Sequence, residues 1–189
     1  MYARMITSLV AMVGMVALVG CIPTSGMVTG VSGPELGSMA PDVQYVSSKG
    51  EQGDFNKARL SIAVIVFSAP EAANCCWVDP KVVNVADQLW GLPVTVAQFS
   101  LPKGKCAHGQ GCVEVCNLHK NRLISLCDAK RIAWNAYARP VPGSLILIGP
   151  DNKILMNGSL SNPNVVVDEA KRLGKVEKEK NRTADYGKD

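Results

Sequence analysis

Leu60-Ser-Ile-Ala-Val-Ile-Val-Phe67 is a β-branched apolar run of eight residues with no charged side chain. A helix this apolar would expose half of its surface to water, whereas a strand of this length can be covered on both faces. The run therefore predicts a strand buried inside a sheet that carries helices above and below.

The neighbouring segments complete the pattern. Val43–Ser47 predicts a short strand, and 55–58 a turn of helix. Pro80–Trp90 places Val82, Val83, Val85, Ala86, Leu89 and Trp90 at helical spacing, with Asp79 suited to cap a helix that has proline in its first position. Pro93–Leu101 predicts a second buried strand and Leu123–Leu126 a short one. Asp128 predicts a cap for a helix through Ala138, with Ile132, Ala133, Ala136 and Tyr137 turned inward. Ser144–Ile148, the turn Gly149-Pro-Asp-Asn152 and Lys153–Met156 predict a hairpin. Asn162-Pro163 opens a last helix whose stripe is Val165, Val166, Ala170 and Leu173. Strand, helix, strand, helix, hairpin and helix make an α/β sandwich of three layers around a mixed central sheet.

The ends of the chain differ from this middle. Residues 1–20 join Arg4 to an apolar stretch, Ile6–Val19, which is shorter than the roughly 20 residues a spanning helix needs. They read as a secretory signal peptide. Leu18-Val-Gly-Cys21 resembles the bacterial lipobox, which implies lipidation of Cys21 and an extracytoplasmic protein held to a membrane by acyl chains. Residues 21–41, rich in Gly, Ser, Pro and Thr, predict a flexible tether. Residues 174–189, with interspersed charges of both signs, predict a solvated tail beyond a closing helix. The net charge of +4 falls to +3 without Arg4, too little and too dispersed to argue for nucleic acid.

An oxidising compartment makes cysteines informative. Apart from Cys21 there are Cys75, Cys76, Cys106, Cys112, Cys116 and Cys127. Cys75 and Cys76 are adjacent, and a disulfide between them is disfavoured. Cα atoms across a trans peptide lie about 3.8 Å apart, against about 4.4–6.8 Å in ordinary disulfides. Three readings stand: redox-active thiols, braces to cysteines of a later insert, or metal ligands. That insert, 103–121, holds Cys106, His108, Cys112, Cys116 and His119. As a helix it would put Cys112, Cys116 and His119 on one face; as a strand it would alternate Cys112, Glu114 and Cys116 against valines. The donors suit zinc or copper, the spacing matches no common finger, and disulfides are the alternative.

Several local phrases resemble the thioredoxin-like superfamily in its TlpA/ResA and AhpC/TSA-type branch. They are Phe67-Ser-Ala69 at the end of the central strand, Leu126-Cys-Asp128 before the third helix, and Val141-Pro142-Gly-Ser144 followed by LILIGPDNKIL. The resemblance spans about 41–173 and implies a thioredoxin-like domain over 42–173. It implies thiol–disulfide exchange with protein thiols or disulfides as partners, and no organic cofactor. Counting from Phe67 or back from Pro80 puts Cys75 at the family's second cysteine and Ala72 at its attacking one, a degenerate Cys-x-x-Cys. Cys75 or Cys76 would then be the reactive thiol, and Trp77 a wall of its pocket or ordinary core. The resemblance also implies that Pro80 kinks one continuous helix, the reading preferred here over a fresh cap. It implies further that Pro142 is a cis-proline, with Val141 presenting backbone to the substrate. A peroxidase fits less well, because no activating arginine stands out. A non-catalytic module for protein binding or metal handling is the rival class.

Overall fold

The structure, a computed structural model, describes residues 33–46, 51–69, 77–101, 116–119, 123–128 and 130–186, with backbone alone at 116–119 and 185–186. Two short strands, β1 (Gln44–Val46) and β2 (Gln52–Asp54), pair antiparallel and lead into one turn of helix, α1 (Phe55–Ala58). The main sheet comprises β3 (Ile62–Ser68), β4 (Val94–Ser100), β5 (Cys116–His119), β6 (Leu123–Cys127), β7 (Ser144–Ile148) and β8 (Ile154–Ser159). Its order is β5-β6-β4-β3-β7-β8. β3, β4 and β6 run parallel, while β5, β7 and β8 pair antiparallel to their neighbours. Helices α2 (Pro80–Gln88), α3 (Ile132–Ala136) and α4 (Asn164–Tyr186) complete the chain.

All seven residues of β3 are buried, as the opening run predicts. Their alternation divides the core. Ile62, Val64 and Val66 pack with Val82 and Val85 of α2 and Val167 and Ala170 of α4. Ala63, Ile65 and Phe67 face Phe55 of α1 and Ala133 and Tyr137 of α3. The result is the expected three-layer sandwich, with the sheet in the middle.

Four local expectations are corrected. α2 starts at Pro80 and does not run through it: Trp77–Asp79 is not helical, and the Asp79 carboxylate accepts from Lys81 N–H. Proline drives its predecessor to extended backbone, here φ −65°, ψ 126°, and an aspartate in that conformation caps well. In α3, Ala133 and Tyr137 are buried, whereas Ile132 and Ala136 are exposed, because one short turn of helix cannot turn four side chains inward.

The third correction concerns the tether. Residues 33–40 dock on the outer edge of the hairpin: Gly37 N–H donates to Ile154 O (2.7 Å), Ile154 N–H to Ser38 O (2.9 Å) and Ala40 N–H to Asn152 O (2.8 Å). Asn157 Nδ2 donates to Pro34 O (2.8 Å). An edge strand offers unpaired amides whatever the composition of the segment that meets them, so a Gly/Ser/Pro-rich stretch can cover it. Residues 21–32 lie outside the described residues.

Fourth, α4 continues through most of the expected tail, to Tyr186. Glu, Lys and Arg are strong helix formers, and Glu169–Arg172, Glu177–Lys180 and Glu179–Arg182 pair at i,i+3. Gly174 lets this helix close on the corner before β4, since a Cβ there would sit 3.0 Å from Val94 and 3.1 Å from Leu92. Among the described residues no helix is long and apolar enough to cross a membrane.

Candidate functional site

The carboxyl ends of β3, β4 and β6 break the apolar character of the sheet. On the α2 face, Val64 and Val66 give way to Ser68, Val94 and Val96 to Gln98 and Ser100, and Leu123 to Ser125 and Cys127. All five of these residues are buried. Ser68 lies opposite Ser100, and Ser100 opposite Cys127, so the three form a row across the sheet. Among the described residues the hydroxyls of Ser68 and Ser125 are buried without a hydrogen-bond partner, which is uncommon in a protein interior.

Gln98 is the fixed point of this layer. It is fully buried, and its Nε2 donates to the carbonyl of Trp77 (2.8 Å) and to Ser100 Oγ (2.7 Å). Its Oε1 accepts from Asp79 N–H (2.9 Å). A single side chain thus ties the stretch before α2 to the sheet. Residues 70–76 leave the end of β3 after Ala69 and rejoin this tied stretch at Trp77, so both anchors of the segment sit at one end of the sheet. In open α/β folds that end is where ligands gather.

Cys75 and Cys76 lie outside the described residues, as do Cys21, Cys106, His108 and Cys112. Trp77 is 38% exposed, so it is not core. At the start of α2 one backbone amide is already engaged, since Lys81 N–H donates to Asp79 Oδ1 (2.9 Å). Cys116 and His119 fall on the strand β5, which removes the helical reading for this pair. Among the described residues no three His, Cys, Asp or Glu side chains are grouped as a metal site.

Val141 and Pro142 are exposed beside β3, since Gly143 N–H donates to Phe67 O (2.6 Å). The cis-proline expectation is corrected: the described residues contain no cis peptide. Val141 O accepts from Ser144 N–H (2.9 Å) and from Ser144 Oγ (2.6 Å), and Gly143 has φ +90°. Proline second and a positive-φ glycine third is the pattern of a type II turn, which a trans proline satisfies.

The loop on the other side of the sheet end is built around Asp128. Its backbone N–H donates to Ser100 O (2.8 Å), and its carboxylate accepts from Ile132 N–H (2.6 Å) and Trp134 N–H (2.8 Å). The expected cap is therefore present, delivered from three residues upstream of Arg131, the residue that adopts the cap position. Burial raises the Asp128 pKa above its ordinary 3.8, although the N–H groups of Trp134, Ile132 and Ala133 and the charge of Arg131 oppose it. The folded chain thus holds this proton more tightly than the unfolded chain. Its contribution to stability is complete below about 3.8 and is lost as pH rises through the raised folded value. Asp128→Asn, neutral throughout, is expected to remove that slope. Urea midpoints measured from pH 3 to 6 check this, and unchanged slopes in both proteins would refute it.

After α3 the chain reverses in a Schellman turn. Arg139 N–H donates to Trp134 O (2.7 Å) and Ala138 N–H to Asn135 O (3.1 Å). Ala138 (φ 56°) takes the left-handed position usually given to glycine, and Arg131 (φ 57°) and Arg139 (φ 55°) are left-handed as well. Such backbone costs about 1 kcal/mol per residue and clusters at functional places. Here it brings the guanidinium groups of Arg131 and Arg139 to 4.9 and 5.8 Å from the centre of the Trp134 ring.

The sequence reading overlooked Gln98, Ser100, Cys127 and this Arg–Trp group as site residues. A polar pair, Gln98 and Ser100, inside a buried strand was the available signal for the first two. Nothing local marked Cys127, whose place beside Ser100 depends on strand order.

No protein-family model and no curated protein matches the sequence. Solved structures do match. A candidate protein disulfide isomerase from Bacteroides thetaiotaomicron aligns over 77% of this chain and 94% of its own, at 16% identity and a TM-score of 0.51. A candidate electron transfer protein from Aquifex aeolicus VF5 aligns over 74% of this chain and 98% of its own, at 16% identity and a TM-score of 0.52. Together with the strand order and the three layers, these alignments show that the chain has the thioredoxin-like fold.

Proposed function

We propose that the protein performs thiol–disulfide exchange outside the cytoplasm, anchored to a membrane through lipid on Cys21, with Cys75 and Cys76 supplying the reactive sulfur. The observation that carries this reading is the anchoring of the cysteine-bearing segment. Residue 69 follows the central strand and Trp77 is held by Gln98, so both anchors of the segment that carries Cys75 and Cys76 lie at the polar carboxyl end of the sheet. Likeness in fold to a candidate disulfide isomerase adds support.

In the proposed step a thiolate of this pair attacks one sulfur of a substrate disulfide. The S–S bond breaks, a mixed disulfide forms, and the departing substrate thiolate takes up a proton. A second cysteine of the chain then attacks the mixed disulfide and releases the other substrate sulfur as a thiol. Two electrons and two protons pass to the substrate, and the chain is left with a disulfide. Since neighbouring cysteines bridge poorly, the second sulfur is assigned to the insert cysteines Cys106, Cys112 or Cys116, or to Cys127 at the same sheet end. A partner dithiol resets the chain.

Reduction of insulin disulfides by the mature protein tests the reading. The wild type is expected to turn over, and C75S/C76S is expected to fall to the uncatalysed rate. Peptide mapping after one turnover identifies the second sulfur, and intact mass reports lipid on Cys21 and any bound zinc or copper. Absence of turnover in the folded wild type would leave a thioredoxin-fold module that binds a protein or a metal without exchange.

A further inference from the structure

We propose that α4 carries a self-association face, through which two copies of the chain pair their α4 helices antiparallel along Val165, Glu169, Arg172 and Val176. The inference is independent of the exchange reading.

The spacing of these residues carries it. They stand at i, i+4, i+7 and i+11 of one helix. With about 3.6 residues per turn they fall on one narrow stripe, the a/d seam of a two-stranded coiled coil. The face that α4 buries in its own domain is a different one, made by Val166, Val167 and Ala170. Val165 and Val176 are left 61% and 46% exposed. Exposed valines scattered singly need no explanation, whereas these two close the ends of a single seam. Beside them, Leu155 and Met156 of β8 join Val165 and Leu173 in lining an open groove of about 840 Å³. Apolar surface thus continues from the helix onto the neighbouring strand.

Charge selects the occupant and its direction. Between the valines lies the Glu169–Arg172 pair, joined by two hydrogen bonds of 2.8 and 2.7 Å. The pair stays intact in the proposed contact. It has no net charge but a fixed polarity, acid toward the helix start and base toward its end. Turning a second α4 end for end sets Glu169 beside the partner's Arg172 and Val165 beside the partner's Val176. Both matches are centred between Ala170 and Lys171. A parallel pairing would instead stack like charges. A polar pair within an apolar seam fixes register in this way and lowers affinity. The match is its own inverse, as a two-fold dimer requires, which identifies the partner as a second copy of this chain. From Val165 to Val176 the seam runs about 17 Å, so the association is transient, in the micromolar range. The groove borders β8, with β7 between it and β3, so pairing leaves the candidate site open in both copies.

Sedimentation velocity under reducing conditions tests it, on the mature chain carrying C21S so that neither lipid nor disulfides join the copies. A monomer–dimer equilibrium is expected, and V165K/V176K should weaken it at least tenfold. E169R and R172E should each weaken it to a similar degree, by setting like charges against each other. An equimolar mixture of E169R and R172E should restore the dimer, because two arginines on one chain then face two glutamates on the other. Recovery in the mixture also shows that both variants are folded. A wild type that stays monomeric up to about 0.5 mM would overturn the proposal. So would a dimer that survives V165K/V176K, or a mixture no more associated than its components.

Discussion

Gln98→Leu is expected to destabilise the protein by about 2–5 kcal/mol while leaving the hydrophobic core filled. Leucine replaces most of the volume and none of the hydrogen bonds. Trp77 O and Asp79 N–H would lose their partners, and an unsatisfied buried polar group costs about 1–3 kcal/mol. Ser100 Oγ, at 3.5 Å from Trp77 O, is too distant to take over. Because these bonds hold the stretch that follows Cys76, the variant should also be cut faster between residues 69 and 79 in limited proteolysis under native conditions. Urea unfolding and mass mapping of the first cleavage products measure both effects. A loss below about 0.5 kcal/mol, with no new cleavage, would show that the stretch is held by something other than Gln98.

Phe99→Ala, one residue along the same strand and on its other face, is expected to be at least as costly, at about 3–5 kcal/mol. Phe99 is fully buried with its ring centre 5.4 Å from Phe55 and 5.3 Å from Phe67, and Phe67 in turn meets Tyr137 at 5.6 Å. Removing the middle ring leaves a void that α1, β3 and α3 all border, and strands already paired on both sides cannot close it. The denaturation midpoint should fall with an unchanged slope. In contrast to Gln98→Leu, the 69–79 region should be cut no faster than in the wild type wherever the variant is still folded. Equal cleavage in the two variants would mean that global opening, and not the Gln98 tie, governs access to that segment.

The core of this fold was legible because its signals are local. Alternating valines and isoleucines announce a strand wherever they occur. Asp79-Pro80 also carries local cap chemistry, but the family wording displaced it in favour of a kink. The hairpin from Ser144 was equally plain, its two strands being joined by a turn of a few residues. Composition misled where it was asked to stand for contacts. Residues 33–40 read as tether and proved to be an edge cover, and the charged tail read as solvated chain and proved to be mostly helix. Val141-Pro142 illustrates the limit of borrowed wording. The dipeptide matched a family phrase, but the following Gly143 and Ser144 already satisfied a turn with trans proline.

By itself, then, the sequence determined a three-layer α/β domain and its paired cysteines after the central strand, since periodicity and turn chemistry act over a few bonds. Tertiary structure alone decided that Ser68, Ser100 and Cys127 share a row and that Gln98 reaches back to Trp77. It likewise decided that two arginines meet on Trp134. Each of these depends on which strands become neighbours or on how a loop reverses. That outcome is settled by the burial of the whole core, and no short segment encodes it.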